Sequence, residues 1–373
     1  MTSIPAVLTI NAGSSSIRFA VYEAARTARR QLDGKIDHVA ATDHRTAVTF
    51  LLKWLEAQPI FASVKAVGHR VVHGMRHSEP ERITPKLIAE LRRITPYDPD
   101  HMPREISVIE AISRRHPTLP QVACFDTAFH RTMPRVAKLL PIPRRYAAAR
   151  GVERYGFHGL SYAYLMEELG RLDPRAAPGR VILAHLGSGA SLAAVRDGKS
   201  IDTSMGFTPA SGLMMGTRTG DVDPGLTYHL ARTEHMTAQK FQRMVNRESG
   251  LLGVSATSAD VRDLLARESR DPRAAEAIAL FCYQAKKWVG AFAAALGGVD
   301  TLVFAGGIGE NAPLIRERIC DGLGFLGIEL HRKHNAKNAP VISTDAGRVT
   351  VRVIPTDEDL MIARSVTRVL NLG

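Results

Sequence analysis

The chain has 373 residues, 45% hydrophobic and 23% charged, close to the average for soluble globular proteins, which excludes a mostly disordered, collagen-like or coiled-coil chain. At about 150 residues per domain, this length predicts two or three domains or one duplicated architecture. The formal net charge of +12 admits anionic partners such as nucleotides and phosphates. With no block of five or six basic residues and only 6% aromatics, however, it does not point to nucleic acid.

Residues 7–11 (Val-Leu-Thr-Ile-Asn) form a β-type run that leads into Gly13-Ser-Ser-Ser16, and Phe19-Ala-Val-Tyr22 follows as a second run. This reads as a hairpin. No basic residue precedes the first apolar stretch and Asn11 interrupts it early, which makes a poor signal peptide. The pattern returns at residues 181–189 (Val-Ile-Leu-Ala-His-Leu-Gly-Ser-Gly) and 191–195, with Gly13 recurring as Gly187. So long a period predicts two similar α/β domains rather than a solenoid.

Between the copies lie strand-like runs at residues 66–72 and 121–125, separated by a helix-compatible stretch at 106–115. Residues 174–179 read as the clearest loop. The apolar window at 288–309 is cut by Gly297-Gly298 and Asp300 into a helix and a strand, so no membrane span is expected. Residues 302–305 and 349–354 read as buried strands, each followed by a helix, and Thr356 is the expected N-cap of the last helix. The cysteines, Cys124, Cys282 and Cys320, form no C-x-x-C; the reading is a reducing, cytoplasmic setting with neither disulfides nor a cysteine-built zinc site.

Three Gly-rich turns each follow a strand: Gly13-Ser-Ser-Ser16, Gly187-Ser-Gly189 and Gly306-Gly-Ile-Gly309. Glycine lets backbone N–H groups approach phosphate oxygens, although any one of these could be a plain turn. None fits G-x-x-x-x-G-K-[ST] or a strand-1 G-x-G-x-x-G, which excludes P-loop and Rossmann readings. Arg70 and Arg218 are candidate oxyanion ligands, with a surface ion pair as the plain alternative for each. Asp126, at a strand end, and Glu358, at a helix start, offer carboxylates of the kind Mg2+ takes together with phosphate oxygens and water. His158, between glycines, could donate to a developing oxyanion. His69 and His73 sit four apart in a β-branched context without the rest of a zinc motif.

Six separated motifs stand in the chain: Asn11-Ala-Gly-Ser-Ser-Ser16, Gly68-His-Arg-Val-Val-His-Gly74, Phe125-Asp-Thr-Ala-Phe-His130, Tyr155-Gly-Phe-His-Gly159, the stretch 202–221 with Met-Gly-Thr-Arg-Thr-Gly-Asp, and Gly307-Ile-Gly-Glu-Asn311. In this order the sequence resembles the acetate kinase family, within the acetate and sugar kinase/actin superfamily. The resemblance implies duplicated RNase H-like (actin-like ATPase) α/β domains with an interdomain cleft. The first would span residues 1–130 plus 360–373 and the second, nucleotide-binding, 131–359.

It also implies a cytoplasmic homodimer that reversibly transfers the γ-phosphate of ATP to acetate or propionate, giving ADP and an acyl phosphate, with Mg2+ or Mn2+. The implied catalytic residues are Asp126, His158 and Arg218. Those binding the acid are Arg70, Val72, Asp100, His101, Phe157 and Pro209. The nucleotide positions are Ser14, Ser16, Arg18, His185, Leu186, Gly187, Ser188, Gly189, Asp260, Val261, Arg262, Gly307, Ile308, Gly309, Glu310 and Asn311, and the metal positions Asn11 and Glu358. Three residues depart from the family pattern: Arg18 replaces a lysine, Ser188 an asparagine, and Asp100 an apolar residue near the acyl group. The last leaves room for a kinase of butyrate or a hydroxy acid. A catalytically weak nucleotide-binding regulator is the reading from another class.

Overall fold

The computed structural model describes residues 4–13, 16–25, 28–36, 44–146 and 151–372. By contacts the chain divides into two units, Met1–Arg131 with Gly159–Tyr164 and Asp357–Gly373, and Thr132–His158 with Leu165–Thr356.

In the first unit the predicted hairpin is β1 (Ala6–Ala12) paired antiparallel with β2 (Ile17–Glu23), and β3 (Arg30–Ile36) continues antiparallel beyond β2. On the other side of β1, β4 (Val64–Val71) and β6 (Gln121–Phe125) run parallel, and the two-residue β5 (Glu81–Arg82) closes the edge. The central strands are buried on both faces and read as near-continuous apolar runs, as parallel strands covered by helices must. Edge strand β3, by contrast, carries Arg30, Gln31, Asp33 and Lys35.

The second unit repeats the plan. Strands β7 (Arg180–Leu186), β8 (Ala190–Arg196) and β9 (Lys199–Thr203) form an antiparallel meander, and β10 (Thr301–Ala305) and β11 (Thr350–Val353) extend it in parallel from β7. The orders β3-β2-β1-β4-β6 and β9-β8-β7-β10-β11 are therefore the same five-strand scheme, with β5 an addition to the first. Strands β1 and β7 start 174 residues apart, at Ala6 and Arg180, the spacing of the sequence recurrence. The fold is a duplicated RNase H-like α/β architecture.

The apolar window at 288–309 divides as expected. Helix Pro272–Leu296 starts on an Asp271 cap that accepts from Arg273 N and stops at Gly297 with φ 70°, and β10 follows. Among the described residues, no helix is long and apolar enough to cross a membrane.

Two local expectations are corrected. Gly306-Gly-Ile-Gly309 is not an open turn but the start of the helix Gly306–Asn311. The last helix, Glu358–Leu370, is capped by Asp357, whose Oδ1 accepts from Leu360 N at 2.9 Å, and not by Thr356, whose own N–H donates to Glu310 Oε1 at 3.1 Å.

Helix Glu358–Leu370 buries Met361, Ile362 and Val366 against the first sheet. It comes so close to β4 that a Cβ on Gly68 would lie 2.4 Å from Ile362 Cγ2 and 2.6 Å from Val366 Cγ2. Glycine is thus the residue that lets the helix seat, and with it the Glu358 end. Gly68→Ala is expected to destabilise the protein by about 1–3 kcal/mol through overpacking; a urea midpoint equal to that of the parent chain would refute this packing account.

Candidate active site

In the first unit, the ends of β1, β4 and β6 gather the predicted acid- and metal-binding residues. Arg70 lies within β4, next to its last residue, and Asp126 directly follows β6, where its N–H donates to Val71 O at 2.9 Å. The parallel register that pairs Arg70 with Cys124 and Val71 with Phe125 brings the two side chains together. Asp126 Oδ2 accepts from Arg70 Nη2 at 2.6 Å and from Nε at 3.1 Å. Glu105, on helix Met102–Arg115, places Oε1 3.5 Å from Arg70 Nη1 and accepts from Val72 N at 3.0 Å through Oε2. Arg70 is therefore no surface ion pair: its side chain is 13% exposed and the two carboxylates 1% each. Burial works against its charge, but Asp126 and Glu105 outweigh that and hold the guanidinium above its ordinary pKa. Burial pushes Glu105 up to about 8, against the opposing pull of Arg70.

Val72 is fully buried just beyond Arg70. His101 is buried as well, and its N–H and Nδ1 both lie against Asp98 Oδ1, at 3.0 and 2.9 Å. Asp100 sits partly buried immediately before it. Asn11, near the end of β1, donates to Glu358 Oε2 at 3.2 Å, and the hairpin register places Arg18 opposite Asn11. Glu358 is held above the usual carboxylate range by burial and then by the negative charge of Asp126, with Arg70 and Arg18 opposing. Ser14 lies outside the described residues, and Ser16 closes the turn by accepting from Gly13 N at 2.8 Å through its carbonyl.

These donors suit Mg2+. Asn11 and Glu358 supply oxygens only, and Asp126 Oδ1 is buried without a hydrogen-bond partner among the described residues. No cluster of three or more His, Cys, Asp and Glu suited to holding a metal occurs among those residues. A metal here would draw most of its ligands from phosphate and water, which is the habit of Mg2+.

In the second unit the β7–β8 turn organises the residues expected to face phosphate. Gly187 N donates to Gly189 O at 3.0 Å, and the hairpin register sets His185 opposite Ser191. His158, in the left-handed region with φ 58° at the start of helix Gly159–Leu172, stacks on His185 with ring centroids 4.3 Å apart and places Nδ1 2.8 Å from Ser191 Oγ. A Cβ on Gly189 would lie 3.2 Å from His158 Nε2 and 3.7 Å from Arg218 Nη1. The two predicted charge-stabilising side chains thus meet over one glycine. Arg218 Nη1 donates to Pro209 O at 3.2 Å, and Phe157 is buried next to His158.

Leu186 is buried and Ser188 exposed. A Cβ on Gly187 would lie 4.0 Å from Gly307 N, which sets this turn beside helix Gly306–Asn311. Within that helix Glu310 Oε1 accepts from Gly306 N at 2.8 Å, and Asn311 Nδ2 donates to Gly307 O at 3.1 Å. Ile308 and Gly309 lie between them, the glycine buried. Ser188 O accepts from Gly216 N at 3.1 Å, and a Cβ on Gly216 would lie 3.3 Å from Ala259 O, which brings Asp260 to the same neighbourhood. Asp260 caps helix Val261–Arg267 and pairs with Arg262 at 2.6 Å, while Val261 is buried.

Sequence reasoning missed three supporting residues. Glu105 was detectable as the one carboxylate within the buried stripe Met102, Ile106, Ile109, Ile112 of its helix. Ser191, which orients His158, carried no signal in an ordinary strand. Arg316, fully buried, donates to Gly309 O, Glu310 O, Asn335 Oδ1 and O, and Asn338 Oδ1; burial draws its pKa down to about 10. It follows Asn311 by five residues, and nothing in its local sequence marks it.

A duplicated α/β fold with a buried arginine–carboxylate pair at its strand ends, and glycine turns beside a histidine and an arginine, fits a phosphotransferase whose acceptor is a carboxyl group. The chain belongs to the Acetokinase family, whose model matches residues 26–364. It is 46% identical to the acetate kinase of Rhodopseudomonas palustris over 98% of this chain and 99% of that one. To the propionate kinase of Citrobacter rodentium it is 41% identical, over 97% and 96%. The crystal structure of Porphyromonas gingivalis acetate kinase superposes with a TM-score of 0.89 at 37% identity, covering 98% of this chain and all of that one.

His69 and His73 flank Arg70, and both are buried. His69 Nε2 lies 2.7 Å from Gln121 Oε1. Burial keeps both rings neutral by pushing their pKa values down to about 4. The unfolded chain takes up these protons near pH 6.5, so this stability is complete above that pH and is lost as pH falls toward 4, by up to about 3 kcal/mol per ring. The urea midpoint should therefore drop steeply between pH 6.5 and 4, and His69→Gln should flatten the slope; a variant slope equal to that of the parent would disprove the assignment.

Proposed function

We propose that the protein catalyses reversible transfer of the γ-phosphoryl group from MgATP to acetate or propionate. The observation that carries this reading is the buried Arg70–Asp126 pair beside Val72: a fixed cation for a carboxylate, next to an apolar side chain. A carboxylate is already a competent nucleophile, so the reaction needs alignment and charge neutralisation more than a strong base. One carboxylate oxygen attacks the γ-phosphorus, the bond to the β,γ-bridging oxygen breaks, and ADP leaves with that electron pair.

In this reading Arg70 binds the acid and Asp126 fixes Arg70. His158 and Arg218, adjacent at Gly189, neutralise charge on the transferring oxygens, as planar guanidinium and imidazole donors do. The 185–189 turn and the 307–311 segment take the nucleotide phosphates, Asp260 to Arg262 the rest of the nucleotide. Asn11 and Glu358 would hold Mg2+, which supplies charge for the phosphate oxygens when bound. We assign residues 1–130 with 360–373 to the acid-binding domain and 131–359 to the nucleotide domain. A cytoplasmic homodimer is the assembly that the family resemblance supports.

Asp100, where the family pattern has an apolar residue, favours a second reading: an acid with a polar substituent able to pair with it, since an unpaired carboxylate beside an apolar acyl tail is costly. Acyl phosphate formed from MgATP and acetate, propionate, butyrate, lactate or glycolate, trapped with hydroxylamine, separates the two. Turnover of acetate or propionate, reduced at least about 10³-fold in Asp126→Ala, is the expected result. Turnover of a hydroxy acid alone would transfer the assignment to the second reading. No turnover of any acid would leave a nucleotide-binding regulator.

A further inference from the structure

We infer that Glu105 is a positioning residue for the acid-binding site, acting through Arg70 and the end of β4. This rests on the proposed carboxylate kinase activity and extends it to a residue that none of the six motifs contains.

The geometry is that of a clamp with two jaws. Asp126 Oδ2 takes the Nε and Nη2 edge of the guanidinium, while Glu105 Oε1 stands at Nη1. With these held, the edge between Nη1 and Nη2 is the one a substrate carboxylate can engage bidentately. The other Glu105 oxygen fixes Val72 N at 3.0 Å, so one carboxylate sets both the guanidinium and the apolar residue next to it. His101 caps the same helix four residues earlier, its carbonyl accepting the backbone N–H of Glu105 at 3.2 Å. Arg70 and Val72 are both proposed acid-binding positions, and the Glu105 side chain touches each of them.

A buried carboxylate on an otherwise apolar helix stripe is costly unless its oxygens are engaged. Here Oε2 accepts from the Val72 N–H, and Oε1 stands 3.5 Å from the Arg70 guanidinium without a hydrogen bond among the described residues, so the ion pair with Arg70 is what offsets its burial. An amide in its place presents a single acceptor oxygen and cannot meet both donors. Glu105→Gln is therefore a near-isosteric test that loosens one jaw while keeping the volume.

The test compares wild type with Glu105→Gln in steady-state kinetics, together with the side-chain Nε–H resonance of Arg70. The acetate KM is expected to rise about tenfold while the MgATP KM stays within twofold, and the Arg70 resonance should move. An unchanged acetate KM, or an equal rise in both KM values, would overturn the inference, as would an unmoved resonance. Should the glutamine variant fail to fold, Glu105→Met, which preserves volume without polar atoms, serves the same comparison. A wild-type protein inert on every acid would sink the proposed function instead, and the resonance comparison would still decide whether Glu105 holds Arg70.

Discussion

The buried Arg70–Asp126 ion pair is the constraint on which the first unit turns. A guanidinium withdrawn from water must be met by carboxylates and hydrogen bonds, and a pair broken on one side costs more than the intact pair contributes. Here both partners come from neighbouring parallel strand ends, so the sheet register itself delivers the pairing. The surroundings follow from it. Glu105 reaches in from the covering helix, Glu358 is raised by burial and then by the charge of Asp126, and burial keeps His69 and His73 neutral on either side. Burial sets the protonation of these groups first, and the charges of Arg70, Asp126 and Glu105 adjust it.

The two repeats show how one scaffold carries different chemistry at matching places. Asn11 and His185 are both the penultimate residue of the first strand of their repeat, and Gly13 and Gly187 both begin the following turn. In the first repeat that position supplies an amide whose Nδ2 donates to a carboxylate, leaving oxygen atoms suited to a hard cation. In the second it supplies an imidazole stacked on another imidazole next to a glycine, suited to anionic oxygen. Backbone geometry is shared and side-chain chemistry has diverged.

Much of this was legible in the sequence because the signals were local and periodic. The hairpin at Ala6–Glu23, the recurrence 174 residues later and the alternation of strands with helices all rest on apolar patterning that burial enforces. Arg70, Asp126, His158 and Arg218 stood out because they lie in distinctive short motifs at element ends. Other features depended on tertiary context. The Asp357 cap outcompeted Thr356 because its carboxylate reaches Leu360 N while Thr356 N–H is drawn to Glu310, a residue 46 positions earlier. Gly306-Gly-Ile-Gly309 looks like a loop by propensity, yet its backbone is held helical by the Glu310 side chain folding back onto Gly306 N. Ser191 and Arg316 matter through partners distant in sequence, which no single-chain pattern reveals.

That last segment has a consequence for binding. Three of the six residues of helix Gly306–Asn311 are glycines, Gly306, Gly307 and Gly309, and glycine has the greatest backbone freedom to lose on ordering. Glu310 pins the start of this helix, and Arg316 pins its Gly309 and Glu310 carbonyls to the Asn335 neighbourhood. The conformational entropy of the segment has thus been surrendered on folding and need not be given up when a ligand arrives. A ligand meeting this backbone would be spared that part of the ordering cost, so preorganisation at a distance adds to what so glycine-rich a surface can hold.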